Sequence, residues 1–137
     1  MSTRPGNPKV SINAATALGV AAGLNFPLDQ SAQILLAVSV VYVATAGAGN
    51  RVPTIRVLDS AGNIIWSAVF ATAVTAAQTS RLMAGAGAPQ TAVTTPLQQT
   101  YPLPMEFSLP PNASLQVLDA ANIAVADTVA VNILTVL

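Results

Sequence analysis

The sequence predicts an all-β protein: an antiparallel β-sandwich of about eight strands in jelly-roll-like order, with an extended N-terminal arm. Three observations carry this. Residues 34–70 read as three strands joined by a small-residue loop and a tight turn. More short strand patterns, separated by Gly and Pro, follow to the C-terminus. No stretch shows the apolar period of an amphipathic helix. The expected organisation is an arm over residues 1–30 and a sandwich domain over residues 31–137, since 137 residues fit one core-forming domain.

Taken in order, residues 1–8 are punctuated by Pro5, Gly6 and Pro8 and should be extended. Val10-Ser-Ile-Asn13 alternates and suits a short strand. Ala14 to Ala22 would allow a helical turn or two, against which Gly19 and Gly23 count. Residues 25–30 read as a turn. In the long apolar run 34–43, Ile34, Leu36, Val38, Val40 and Tyr42 are expected on one face, and Leu35, Ala37, Val41 and Val43, with Ser39 among them, on the other. A strand with one wet face would alternate more cleanly, so both faces should be covered, one by a second sheet and one by another chain or the arm.

Ala44 to Asn50 is a loop of small residues. Arg51 to Leu58 reads as a strand with Pro53 at its start or on an edge, because Pro cannot donate to a ladder. Asp59-Ser-Ala-Gly-Asn63 has the chemistry of a turn: the Asp side chain can accept from following amides, and Gly62 and Asn63 tolerate positive φ. Ile64 to Phe70 alternates again and holds the only tryptophan, Trp66, read as a core or inter-sheet anchor. Residues 71–83 suit strand or helix, 84–90 a loop, and 91–104 an irregular extended segment with three prolines. Short strands are expected at Met105–Leu109 and Ser114–Leu118, a loop at 119–127, and a closing strand at Thr128–Leu137. The corner Val57-Leu-Asp-Ser-Ala-Gly-Asn-Ile64 is echoed by Val117-Leu-Asp-Ala-Ala-Asn-Ile123.

The composition excludes whole classes of chemistry. There is no cysteine, hence no disulfide, thiolate nucleophile or thiolate metal site. There is no histidine, the commonest general base and zinc ligand. Lys9 is the only lysine. Asp59 and Asn63 lack the spacing of a calcium loop. Asp119 and Asp127 flank one loop and would make a carboxylate pair only in a site that raises a pKa. Ala-Gly-Ala-Gly-Ala at 84–88 has neither the lysine nor the helix of a phosphate loop. Asn112-Ala-Ser114 matches a glycosylation acceptor, relevant only in a secreted eukaryotic protein. No catalytic residue, metal or cofactor is expected, and the chain reads as a non-enzyme.

Charged residues are 7% of the chain, against about 25% in an ordinary soluble domain. Five basic and five acidic residues balance, which leaves no electrostatic footprint for nucleic acid. Residues 10–28 are uncharged but rich in Asn, Gly and Ala, a poor membrane span, so no membrane partner and no targeting segment are expected. Scarce charge points to a surface covered by neighbours in an assembly. Arg51 stands out, opening a strand after the small-residue loop. In a dry setting it needs a carboxylate or several carbonyls, and Asp59, Glu106, Asp119 and Asp127 are the candidates.

Several features together resemble the small jelly-roll-like virion structural proteins of tailed bacteriophages, of the capsid decoration or cement type. They are the long strand ending in Tyr42-Val43, Asn50-Arg51 before Ile55-Arg-Val-Leu-Asp59, Gly62-Asn-Ile-Ile65, Leu109-Pro110 before Leu115-Gln-Val-Leu118, and Asp127-Thr-Val-Ala-Val-Asn-Ile133. The pattern covers about three quarters of the chain and leaves out its Ala/Gly-rich N-terminal third. It implies a virion component assembled in the host cytoplasm, a homotrimer whose partners are its own copies and the major capsid protein or other virion proteins. A tail, neck or fibre component, or a carbohydrate- or receptor-binding module, are the alternatives. The candidate interface residues are Arg4 and Lys9 on the arm, Tyr42, Arg51 and Trp66. The arm should lie across a neighbour, so that deleting residues 1–24 leaves the sandwich folded.

Overall fold

The computed structural model describes residues 8–18, 23–29, 31–70, 72–94, 97–121 and 126–136. Arg4 lies outside them. The described residues form eleven strands and no helix: β1 (Pro8–Ala17), β2 (Leu24–Pro27), β3 (Gln33–Val43), β4 (Pro53–Leu58), β5 (Ile64–Val69), β6 (Thr79–Ala86), β7 (Thr91–Thr94), β8 (Leu97–Leu103), β9 (Phe107–Leu109), β10 (Ser114–Asp119) and β11 (Thr128–Val136). The larger sheet runs β1-β11-β3-β6-β8-β7, with β9 also paired to β3, and the smaller runs β2-β10-β4-β5.

The pairing is nested. The ladders β1–β11, β2–β10, β3–β9 and β4–β5 are all antiparallel. This is one long hairpin folded back on itself, with β11 on β3 and β10 on β4 closing the two sheets. Eight strands in this order make a jelly roll. The other three, β6 to β8, are inserted between β5 and β9. There β6 continues beside β3 where β9 stops, and β6 with β8 forms the one parallel ladder among the described strands.

The expected arm is different in kind. Residues 8–17 pair along β11 of the same chain, and residues 24–27 pair with β10. Leu18 and Phe26 are buried in the core. The boundary at residue 30 therefore does not separate an arm from a sandwich, because two of the eight jelly-roll strands lie before it. β2 is only four residues long and ends on Pro27, and β1 runs out into Ala-Ala-Thr-Ala17, so neither carries a long alternation by which strands are read. The helical turn considered for residues 14–22 is strand as far as Ala17, and 19–22 lie outside the described residues.

The core is the space between the sheets. Val38, Val40 and Tyr42 of β3 face it, as do Val129, Val131 and Ile133 of β11 and Leu82 and Ala84 of β6, against Ile55, Val57, Leu115 and Val117 of the smaller sheet. The expected face of β3 holds only from Val38 onward. Leu35 is buried, while Ile34 and Leu36 are half-buried. The ladder with β11 slips between Leu134 and Thr135, so Leu36 is an extra residue and everything before it changes sides. The Asp59 turn forms as its sequence demands: Asp59 Oδ1 accepts from the amides of Ala61 (2.9 Å) and Asn63 (2.8 Å), and Gly62 has φ +85.

Candidate interaction surface and buried ion pair

The most organised polar cluster sits at one end of the sandwich. Arg51 enters the structure just before β4, paired by its backbone to Val74. Asp127 precedes β11, and Tyr42 ends the inward row of β3. Arg51 Nε donates to Asp127 Oδ2 at 2.9 Å, and both side chains are fully shielded from solvent. Arg51 Nη1 donates to the carbonyls of Gly47 (2.9 Å) and Gly49 (2.6 Å), and Nη2 to Thr45 O (3.2 Å). Asp127 Oδ2 also accepts from the Tyr42 hydroxyl at 2.8 Å, and Oδ1 from the Thr45 amide at 2.8 Å.

Small residues in the loop 44–50 let its carbonyls fold round the guanidinium, so the loop and the arginine explain each other. Burial alone would raise the Asp127 carboxyl. The hydrogen bonds from Arg51, the Thr45 amide and Tyr42 outweigh it and hold the group below the usual carboxylate range. Burial, reinforced by the bond to Asp127, pushes the Tyr42 hydroxyl well above its ordinary value. A carboxylate engaged this fully is a structural clamp and offers no ready lone pair for proton transfer.

Of the four candidate partners for Arg51, Asp127 is the one used. Asp119 takes the amides of Val52 (2.8 Å) and Ala121 (2.9 Å) instead, so the two acids on that loop have separate duties. Tyr42 and Arg51 are corrected as interface residues: their side chains are spent inside their own chain and cannot reach a neighbour. Trp66 is half-buried. Its ring meets Tyr101 edge-on at 6.1 Å and Phe107 at 6.2 Å, joining edge strand β5 of the smaller sheet to β8 and β9 of the larger, in line with the anchor reading. Lys9 is exposed and pairs with Asp29 at 3.3 Å, a surface contact of little energetic weight.

Among the described residues no group of three or more metal-ligating acids lies together, and no helix is long and apolar enough to cross a membrane. Gln33 Nε2, Arg56 Nε and Ser80 Oγ are buried without a hydrogen-bond partner, but they stand on three different strands and converge on no site. What the surface shows instead is apolar side chains left in water. Val10 and Ile12 stand out from β1, Ile64, Ile65 and Val69 from β5, and Met105 from the loop before β9. Sequence reading missed these. The signal for the first pair was the alternation of Val10 and Ile12 with Lys9, Ser11 and Asn13, whose direction only the ladder to β11 decides.

No family model matches the chain, and no curated protein matches it. Solved structures match it at low scores. The structure of the infectious bursal disease virus Gx strain matches with a TM-score of 0.39 at 10% identity, over 97% of this chain and 33% of that one. The arabinose-bound GH51 α-L-arabinofuranosidase matches with a TM-score of 0.43 at 12% identity, over 97% of this chain and 23% of that one. The Bacillus endospore appendage, one of a family of disulfide-linked pili, matches with a TM-score of 0.27 at 10% identity, over 99% and 93% of the two chains. This chain thus spans a third of the first and less than a quarter of the second.

Proposed function

We propose that the chain is a non-enzymatic structural protein of a phage virion that decorates or cements the capsid through contacts with its own copies and with the major capsid protein. The observation that carries the reading is the surface. Large apolar side chains stand exposed on two edge strands of a chain with only ten charged residues, five of each sign. Apolar side chains grouped on an exposed edge in this way favour a protein–protein contact. The rigid jelly roll supplies flat sheet faces and edges for it, and the Arg51 clamp fixes one end of the sandwich.

A tail, neck or fibre component would use the same surfaces in another part of the particle. A carbohydrate- or receptor-binding module is supported less well, because such sites stack sugars on exposed rings. Here Trp66, Tyr101, Phe107 and Phe70 are engaged with one another. The test is to purify particles from the source of the chain, quantify the chain in them by mass spectrometry, and image particles with and without it by electron microscopy. Stoichiometric presence and a density that vanishes with the chain are expected. Absence from purified particles overturns the reading.

A further inference from the structure

Edge strand β1 is amphipathic in reverse. Residues paired across a ladder share a face of the sheet. Lys9, Ser11 and Asn13 pair with Thr135, Ile133 and Val131, whose side chains are buried between the sheets. They therefore point inward, and Lys9 and Ser11 line a polar cleft of about 380 Å³ between β1, β2 and the start of β3. Val10 and Ile12 pair with Leu134 and Asn132 and point outward, where they are 57% and 78% exposed. A strand that turns its polar side toward the cleft and its apolar side to water makes sense when the outer face is itself covered.

The register extends that outer face across the larger sheet. One row runs Val10, Leu134, Ala37, Gly85, and the next Ile12, Asn132, Ser39, Met83. Between β11, β3 and β6 the face is hollowed, leaving a depression of about 360 Å³ lined mainly by small and apolar side chains, Met83 among them. Ile12 and Met83 lie in the same row, three strand spacings or about 14 Å apart. The one charged side chain that the described strands place on this face is Arg81.

We propose that this face is the contact between two copies of the chain, packed face to face about a two-fold axis running along the strands between β11 and β3. Ile12 of each copy then enters the hollow of the other beside Met83, as a self-complementary contact requires. An axis between β11 and β3 overlays the four strands β1, β11, β3 and β6. Four strands about 4.8 Å apart and about seven residues long make a face of roughly 440 Å² in projection. Side-chain relief brings that toward the ~800 Å² per partner of a stable interface. The two Arg81 side chains stand on strands about 14 Å apart, beyond the screening length at physiological salt. The proposal rests on the assembly reading and names its partner, with a two-fold contact in place of the trimer that the resemblance implies.

The experiment uses the absence of cysteine. In the double variant Ile12→Cys/Met83→Cys the two thiols of one chain are too far apart to bridge. A disulfide therefore reports a second copy. Oxidation should give a covalent dimer on a non-reducing gel, and Ile12→Glu should weaken self-association at least tenfold in analytical ultracentrifugation. Ile64→Glu, on the other sheet, should leave it unchanged. A wild-type chain that stays monomeric, a double variant that does not cross-link, or an Ile12→Glu variant that associates normally overturns the contact. Dimers from a chain absent from particles would sink the virion reading and leave this contact standing. Particles that contain the chain without the cross-link would do the reverse.

Discussion

Arg51 Nε lies 2.9 Å from Asp127 Oδ2 with neither side chain reached by solvent, and through this pair the loop 44–50 is bound to the start of β11. A buried pair is weak evidence of net stabilisation, but removing one partner leaves the other as an unpaired buried charge. Asp127→Ala or Arg51→Met should each cost about 3–5 kcal/mol. Chemical denaturation should show the midpoint falling with the slope unchanged.

The same pair sets an acid limit. The Asp127 carboxyl is held below its unfolded value, so its contribution is complete above the unfolded pKa of about 3.9 and is lost as pH falls through the folded one. Stability of the wild type should therefore drop below about pH 4. Asp127→Asn, already weakened at neutral pH, should lose this part of the dependence. Melts across pH 2 to 7 on both proteins check it, and parallel curves would refute it.

At the alkaline end Tyr42 takes over. Its hydroxyl is raised above the ordinary value, so the folded state keeps a proton that the unfolded chain gives up near pH 10. Stability should fall as pH climbs past that point. In an ultraviolet titration, one of the two tyrosines should ionise only on unfolding. Tyr42→Phe should abolish that late step.

Gly23, at φ +72, sits where β2 approaches β10. A Cβ there would press on the Val117 carbonyl oxygen and lie 2.7 Å from Leu118 Cβ. Gly23→Ala combines a disfavoured backbone conformation with a clash against a strand, and should cost more than about 1 kcal/mol. A thermal melt indistinguishable from wild type would contradict this close approach.

Truncations separate the two parts of the N-terminal region. Deleting residues 1–17 removes strand β1, whose large apolar side chains are exposed, and should leave a folded sandwich that no longer self-associates. Deleting residues 1–27 also removes Leu18 and Phe26 from the core and one edge of the smaller sheet, and should abolish cooperative unfolding. Circular dichroism melts of the two proteins decide. A well-folded 28–137 fragment would restore the idea of an arm.

The sequence revealed elements that carry a strong alternation or a specific turn. The β4–turn–β5 hairpin with its Asp59 cap was legible because Asp-x-x-Gly-Asn has one good conformation there. Arg51 was legible because an arginine directly after a loop of small residues must find acceptors, although which acid it takes depends on folding across 76 residues. The β3 slip at Leu36 was not legible, because an all-apolar run looks alike in either phase. Nor were β2 and the length of β1 beyond the short strand read at Val10–Asn13, because their pairing partners lie at the other end of the chain. The exposed apolar face follows from that same long-range register.

The nested pairing has a consequence for how the molecule is made. Pro8 meets Val136, and every pair in the outermost ladder joins residues more than a hundred positions apart. Contact order this high implies slow folding, on the order of milliseconds to seconds. On the ribosome β1 has no partner until β11 has emerged, so its Val10-Ser-Ile edge waits exposed through most of synthesis. A chain fused to a reporter and stalled at successive lengths should show the outer ladder protected from protease last, after the β4–β5 hairpin at the centre of the nest.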